Sequence, residues 1–102
     1  MRTDSRCDAL EAWVDEAIQR CASRGLLPGR FPEMRKNLGT APAIARLMNT
    51  PFERTPLRRL KQAGLIEWSL EAGVLRFPDC FGARIRDAAQ FRLDHVDDAS
   101  LR

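Results

Sequence analysis

The 102-residue sequence predicts a single, mainly α-helical domain that carries one small β-hairpin. Three observations predict this fold class. Apolar residues recur at helical spacing along most of the chain, and glycine or proline interrupts the pattern at intervals. Residues 65–68 and 74–77 instead form two strand-like runs around a short turn at residues 69–73. A hydrophobic content of 44% is sufficient for one core.

The first predicted element is a helix over residues 5–24. Its apolar positions follow one helical stripe, which consists of Leu10, Trp13, Val14, Ala17, Ile18 and Cys21. Ser5 and Asp8 could form a capping box at the start of this helix, and Gly25 supplies a left-handed residue at its end. We expect Trp13 to lie in the core.

A pair of helices joined by a proline-containing turn is predicted over residues 40–64. A short helix over residues 32–38 precedes the pair, because Pro32 is tolerated in a first turn and Gly39 ends the helix. This short helix should expose Arg35 and Lys36 to solvent. In the pair itself, apolar residues at helical spacing face inward and the arginines face outward.

The second helix of the pair has two possible starts, Thr50 and Thr55, each of which is a good N-cap residue followed by proline. We favour a one-turn segment over residues 51–54 that leads into a helix over residues 56–63. A helix that began at Thr50 would contain Pro56 in its interior, at a cost of about 3 kcal/mol. A single helix kinked at Pro56 remains the alternative.

A hairpin over residues 65–78 and a helix over residues 82–96 complete the predicted fold. Pro78 ends the second strand, because proline cannot donate a ladder hydrogen bond. The C-terminal helix has apolar residues on more than one face, with Phe91 and Leu93 outside the main stripe. Such a helix either packs on the body of the domain or pairs with a second copy of the chain.

The three cysteines, Cys7, Cys21 and Cys80, are predicted to be reduced. Their number is odd and their spacing includes no CxxC pair, so the sequence suggests neither a disulfide framework nor a zinc site. Free cysteine is often buried, and the pattern therefore favours three interior thiols.

The positive charge is concentrated in the middle of the chain. Residues 24–66 contain nine Lys or Arg and two acids, for a net charge of +7. Residues 1–23 have three cations against five acids, and residues 67–102 have five against seven, so each flank carries −2. A polyanionic partner would account for this distribution. A solvated cationic face without a partner is the alternative.

Residues 44–47 (IARL) and 57–66 (LRRLKQAGLI) carry a family resemblance. They resemble the DNA-binding region of bacterial winged helix-turn-helix regulators of the broad MarR and GntR type. In those families a helix of the pattern LxxLxxxGLI is the recognition helix and enters the first strand of the wing. The resemblance covers about 40 residues and implies a winged helix-turn-helix domain whose partner is duplex DNA.

The predicted DNA-binding residues are mostly cations of this region. An α-helix fits the major groove, and arginine pairs in a planar fork with guanine or with phosphate. Base or groove contacts are assigned to Arg54, Arg58 and Lys61, and phosphate contacts to Arg59, Arg46 and Lys36; Arg35 is a further DNA-contact residue in the connector over residues 30–36. Thr50 and Thr55 could donate to a phosphate at a helix start, or could serve only as helix caps.

Enzymatic functions are not expected. The sequence has no Gly-rich phosphate loop and no nucleophile–base set. His95, the only histidine, lies among acids that would not converge on a metal ion, so we predict no metal and no cofactor. The sequence contains neither a secretory signal nor an apolar run of the roughly 20 residues that a membrane span requires. A cytoplasmic protein without membrane contact is expected.

Two functional hypotheses follow, beside a third possibility: non-specific binding to a polyanion as part of a replication or mobile-element complex, which would show a strong salt dependence without sequence preference. The first is sequence-specific binding of double-stranded DNA by a small homodimeric transcriptional regulator, because one short recognition helix makes few base contacts and two copies double them. The second is a winged-helix protein-interaction module in a larger replication, mobile-element or defence-related complex. The predicted wing is acidic, with Glu71 in its loop and Glu67 nearby, and this feature and the proline-broken helix favour the second hypothesis. Exposed Phe52 and Trp68 would indicate the protein module, and buried ones would indicate DNA.

Overall fold

The structure, a computed structural model, describes residues 7–26 and 29–97. This part of the chain contains six α-helices: α1 (Asp8–Ala22), α2 (Phe31–Leu38), α3 (Thr40–Met48), α4 (Arg54–Gln62), α5 (Leu70–Arg76) and α6 (Ala83–Asp94). Short 3₁₀ turns at Ile66–Trp68 and Pro78–Cys80 flank α5. None of these helices is both long and apolar enough to cross a membrane.

The core lies where α1 meets α3, α5 and α6. The predicted inward face of α1 is buried, with Trp13 8% exposed and Val14 fully buried. Ile44 of α3 and Val74 of α5 are also fully buried. Other members of the same cluster are Leu10, Ala17, Phe31, Ala43, Met48, Phe81 and Ala89. The apolar stripes that the sequence shows therefore converge on one centre, as helical periodicity requires.

The predicted β-hairpin is wrong, and with it the expectation of a winged fold. The segment 65–78 has no strand: a 3₁₀ turn leads into α5, and the described part of the chain contains helices and turns but no β-strand. Ser69 explains the start of α5, because its Oγ accepts a 3.0 Å hydrogen bond from the Ala72 N–H as an N-cap. The seven residues of α5 then bury Val74 and Gly73.

The sequence predicts Gly73 at the end of the hairpin turn, but the structure gives this residue another role. It lies inside α5 against the indole of Trp13, and a Cβ atom there would stand 2.6 Å from Trp13 Cζ3. Only glycine permits so close an approach of the two helices. Trp13 also stacks on Trp68 with ring centroids 5.3 Å apart. The glycine therefore marks close packing in this segment and not a chain reversal.

The start of α4 lies between the two predicted starts. The helix begins at Arg54, after an irregular connection over residues 49–53, and neither Thr50 nor Thr55 is its N-cap residue. Pro56 is the third residue of α4, where its missing N–H has no helical acceptor to lose. The first turn therefore accommodates the proline without the expected break or kink.

The prediction of three reduced cysteines is wrong for two of them. Cys7, directly before α1, forms a disulfide with Cys80 in the 3₁₀ turn before α6, with Cα atoms 5.7 Å apart. The two residues are separated by 73 positions, so spacing alone could not indicate the pair. Cys21 is free and half-buried, and burial raises the pKa of its thiol. The Cys7–Cys80 disulfide links the start of α1 to the segment that leads into α6.

The first and last helices differ from their predicted bounds by a few residues. The predicted helix over residues 5–24 corresponds to α1, and the proposed cap residue Ser5 lies outside the described residues. The helix predicted over 82–96 corresponds to α6, which ends at Asp94 and is followed by a turn.

Candidate nucleic-acid interface

Three of the predicted contact residues lie on one face of α4, the helix that follows α3 after the connection at residues 49–53. Arg54, Arg58 and Lys61 are four and three residues apart, so at 3.6 residues per turn they fall within an arc of about 60°. Leu57, on the adjoining face, is 3% exposed and attaches α4 to the core. Arg54 and Arg58 are half-buried beside it, and Lys61 is exposed.

Arg54 has hydrogen-bond donors that the described chain does not satisfy. Its Nε and Nη1 atoms are buried, and neither has a hydrogen-bond partner among the described residues. A buried donor without an acceptor is costly, and a charged donor more so. The guanidinium would therefore gain if it turned outward to an anion at the start of α4, where the helix dipole also favours negative charge.

One carboxylate lies at this cationic face. Lys61 Nζ donates a hydrogen bond to Oδ2 of Asp97, which follows α6. The hydrogen bond from Lys61 is the largest cause that lowers the pKa of Asp97, and the charges of Lys61, Arg58 and Arg54 act in the same direction. Among the described residues, Asp97 is thus the acid that contacts this face, through Lys61, and the charges of all three cations favour its ionised form.

Two further predicted residues of α4 face solvent. Arg59 and Thr55 are both exposed. Neither side chain has a hydrogen bond or ion pair with any other part of the described chain, so both are available to an external partner. Arg59 lies about 100° around the helix from Arg58, which places it beside the three-cation face and not within it.

Arg35 serves a structural purpose that the sequence did not indicate. It is half-buried and forms ion pairs with Glu11 at 2.9 Å and Asp15 at 2.7 Å, both on α1. Its Nε also donates to the hydroxyl of Thr40 at 2.8 Å. Burial alone would lower the pKa of Arg35, but the hydrogen bonds to the two acids outweigh it and the net shift is upward. Arg35 therefore joins α2 to α1, and its side chain is half-buried where the sequence predicts an exposed one.

The remaining predicted contacts lie around α2 and α3. Arg46 and Thr50 line an open cleft of about 340 Å³ between these helices, with Arg30, Met34, Asn37, Leu38 and Leu47. The Thr50 hydroxyl donates to the Leu47 carbonyl at 2.6 Å, so the threonine caps the end of α3. Lys36 is exposed on α2. The structure thus gathers Arg54, Arg58 and Lys61 but assigns Arg46 and Thr50 to a separate cleft.

A residue that the sequence did not single out holds the turn before α4. Arg92 of α6 is 8% exposed, and its Nη2 donates to the carbonyls of Leu47, Met48 and Thr50 at 3.1, 3.3 and 2.6 Å. Its Nη1 lies 3.4 Å from buried Glu71 of α5. The spacing of Arg92 from Ala89 and Val96, both buried, could have indicated an arginine within the apolar stripe.

Phe52 and Trp68, whose exposure would separate the two functional hypotheses, are both half-buried. Trp68 lies between Trp13 and the Arg20 guanidinium, which is 4.5 Å from its ring centroid. Phe52 lies under the Arg92 guanidinium and forms an edge contact with Phe91, at centroid distances of 5.4 and 6.4 Å. Both rings are engaged within the chain, whereas Phe91 itself is 47% exposed.

Comparisons with known proteins found no match. No protein-family model matches the chain, and no curated protein or solved structure does so either. Within the residues that the structure describes, no group of three or more histidines, cysteines or acids is placed to hold a metal ion. The helical fold and the charged face of α4 are therefore the grounds for a functional proposal.

Proposed function

We propose that this protein binds double-stranded DNA through α3, the turn and α4, with α4 as the recognition helix. The observation that carries the proposal is the face formed by Arg54, Arg58 and Lys61, in which Arg54 has two donors without acceptors in the described chain. A helix of nine residues fits the major groove, and phosphates or guanine edges supply the acceptors that this face needs.

The roles of the cations follow from their positions. Arg54 lies at the start of α4, where backbone N–H groups also point toward an incoming phosphate. Arg58 and Lys61 lie further along the same face and would reach base edges or the far strand. Exposed Arg59 and, more distantly, Arg46 are assigned to phosphates.

The helical structure of the segment after α4 removes one objection to DNA binding. On a wing, Glu71 would have faced the phosphates and repelled them. In α5 it is instead 9% exposed and paired with Arg92, whose guanidinium balances its charge. The absence of a wing also means that no minor-groove contact is expected from residues 65–78, and α4 must supply most of the binding energy.

We further propose that the protein acts as a homodimer and as a small transcriptional regulator. Single helix–turn–helix units make few base contacts, and dimers bind two half-sites about 34 Å apart. Phe91 of α6 is a large apolar side chain exposed at 47%, and its ring contacts those of Phe52 and His95. A second copy that covered this ring would remove it from water.

The second candidate function, a protein-interaction module, has one specific observation in its favour. The cleft between α2 and α3 combines apolar Met34 and Leu38 with the cations Arg30 and Arg46, and Leu38 is 41% exposed. An acidic amphipathic helix would fit such a groove. The internal contacts of Phe52 and Trp68 count against their use as anchors, which is why DNA is the leading candidate.

The test is the salt dependence of binding to a duplex. Fluorescence anisotropy with a duplex of about 30 base pairs, across about 50 to 300 mM salt, measures affinity and the number of phosphate contacts together. We expect Arg58→Ala/Lys61→Ala to weaken binding at least tenfold and to reduce the log–log salt slope by about 0.9 for each phosphate contact that is lost. A matched control, Arg76→Ala/Arg84→Ala, removes two exposed cations from α5 and α6 and should change the slope little.

Two outcomes would separate the candidates. Equal losses in the α4 variant and the control would show that only net charge matters. No binding by the unaltered protein even at about 50 mM salt would contradict the DNA proposal, since non-specific binding is strongest there. The α2–α3 cleft would then become the leading candidate surface.

A further inference from the structure

The turn that follows α6 is fixed in position by the core. Val96 is 3% exposed, although it lies beyond the last helical residue. The His95 N–H donates to the carbonyls of Phe91 and Arg92 at 3.0 and 3.3 Å, and the His95 ring lies on Phe91. Asp97 is the next residue after Val96, so its backbone is anchored on one side by a buried side chain.

This anchored turn brings a carboxylate to the cationic face of α4. Asp97 accepts a hydrogen bond from Lys61, 36 positions earlier in the chain. The lowered pKa of Asp97 reflects the hydrogen bond and charge of Lys61 together with the charges of Arg58 and Arg54. Asp97 therefore contacts Lys61, one of the three residues that are proposed to contact DNA, and the charges of the other two favour its ionised form.

We propose that Asp97 is an internal phosphate mimic that partly neutralises the DNA-binding face of α4. The inference rests on the proposed function and concerns the regulation of that same site. In the free protein the Asp97 carboxylate accepts a hydrogen bond from the Lys61 ammonium. A phosphate oxygen would accept the same hydrogen bond in a complex with DNA. Any polyanion that binds α4 must displace this contact or tolerate the repulsion of a carboxylate beside its phosphates.

The contact is suited to this role because it is weak. Both partners are about half exposed, at 47% for the Lys61 side chain and 56% for Asp97, and exposed ion pairs are easily broken. A single small anion gains little over the carboxylate that is already held in place. A duplex offers one phosphate charge about every 1.7 Å and engages all three cations together. Asp97 thereby favours dense polyanions over isolated anions.

The experiment compares Asp97→Asn with Asp94→Asn in the full chain. Both substitutions remove one exposed negative charge near the end of α6, but only Asp97 contacts Lys61; Asp94 accepts from Gln90. Duplex affinity is measured by anisotropy at several salt concentrations. We expect Asp97→Asn to bind about three- to fivefold more tightly and with a salt slope steeper by about 0.9, because one more phosphate contact forms. Asp94→Asn should change the slope little.

Failure of this inference and failure of the proposed function give different results. If the unaltered protein binds the duplex and the two variants are equal, Asp97 is not a phosphate mimic and the DNA proposal stands. If the unaltered protein and both variants fail to bind at about 50 mM salt, both proposals fall. Binding by Asp97→Asn alone would support both. Thermal unfolding of each variant checks that the fold is retained.

Discussion

Arg92 on α6 donates a 2.6 Å hydrogen bond to the carbonyl of Thr50, so a buried guanidinium holds the connection between α3 and α4 in place. The same group also binds the carbonyls of Leu47 and Met48 and faces Glu71. Leu47 and Met48 are the last residues of α3, where carbonyls lack intrahelical donors, and Thr50 lies in the connection that follows, so one planar guanidinium binds both the end of α3 and the start of the turn. The placement of α4 relative to the core therefore depends on α6.

The first prediction concerns this guanidinium. Arg92→Met should lower the free energy of unfolding by about 3 kcal/mol, because it leaves the Glu71 carboxylate buried and unpaired and removes the donors for the turn. Lysine should not restore stability, since it lacks the fork that reaches several carbonyls. Chemical denaturation followed by far-UV circular dichroism measures the change. Arg84→Met, on the exposed surface of α6, is the matched control. Comparable losses in both variants would contradict the assignment.

The second prediction concerns Gly73. Gly73→Ala should destabilise the protein by about 1–2 kcal/mol, although alanine normally stabilises a helix by about 1 kcal/mol relative to glycine. The reason is the Trp13 ring, which lies 2.6 Å from the position of the new Cβ. Gly82→Ala is the control, because nothing lies within 4 Å of its Cβ position. A more stable Gly73→Ala variant would show that the α1–α5 contact is looser than the structure indicates.

The segment around Gly73 also shows where sequence reasoning failed. Helical periodicity indicated α1, α3 and α6, since each has an apolar stripe long enough to be recognised. The seven residues of α5 are too few to show such a stripe. Gly73 followed by the strand-like run at residues 74–77 fits a hairpin as well as it fits a helix. Tertiary packing against Trp13 decided the outcome, and no local pattern contains that contact.

The candidate site could be predicted only in part for a similar reason. The spacing of Arg54, Arg58 and Lys61 follows from the helix period, so their common face could be predicted from the sequence. The engagement of Arg35 with α1 and of Lys61 with Asp97 joins residues 20 to 36 positions apart. Such pairs depend on how the helices pack, which local propensity does not determine.

The third prediction concerns the disulfide. Alkylation of the denatured, unreduced protein should modify Cys21 alone, and reduction should expose Cys7 and Cys80 as well. Cys7→Ser/Cys80→Ser should lose about 2–4 kcal/mol of stability, because a long loop is no longer closed in the unfolded chain. Cys21→Ser is the control and should lose less. Three reactive thiols without reductant would contradict the bond. Structural disulfides are typical of oxidising compartments, so this measurement also bears on the expected cytoplasmic location.

The fourth prediction concerns the proposed dimer. Phe91→Glu should abolish self-association, because a charge in place of the exposed ring cannot be buried against a second copy without a partner. Sedimentation equilibrium over a range of concentrations measures the mass. Leu38→Glu is a matched control, since Leu38 is also a large apolar residue exposed to a similar degree, at 41% against 47%. A monomeric unaltered protein, or dissociation by Leu38→Glu instead, would contradict a dimer through α6.

The fifth prediction concerns the pH dependence of the Lys61–Asp97 contact. The hydrogen bond from Lys61 and the nearby cations hold the pKa of Asp97 below the ordinary value for aspartate. A carboxylate whose folded-state pKa is depressed stabilises the protein above its unfolded-state pKa, and the contribution is lost as the pH falls through the folded value. The contact should therefore persist through neutral pH and weaken only in acid. NMR titration of the Asp97 carboxyl carbon should show a rise in pKa in Lys61→Met, whereas Lys36→Met should leave it unchanged. An Asp97 that titrates identically in all three proteins would mean that the carboxylate does not engage α4 in solution.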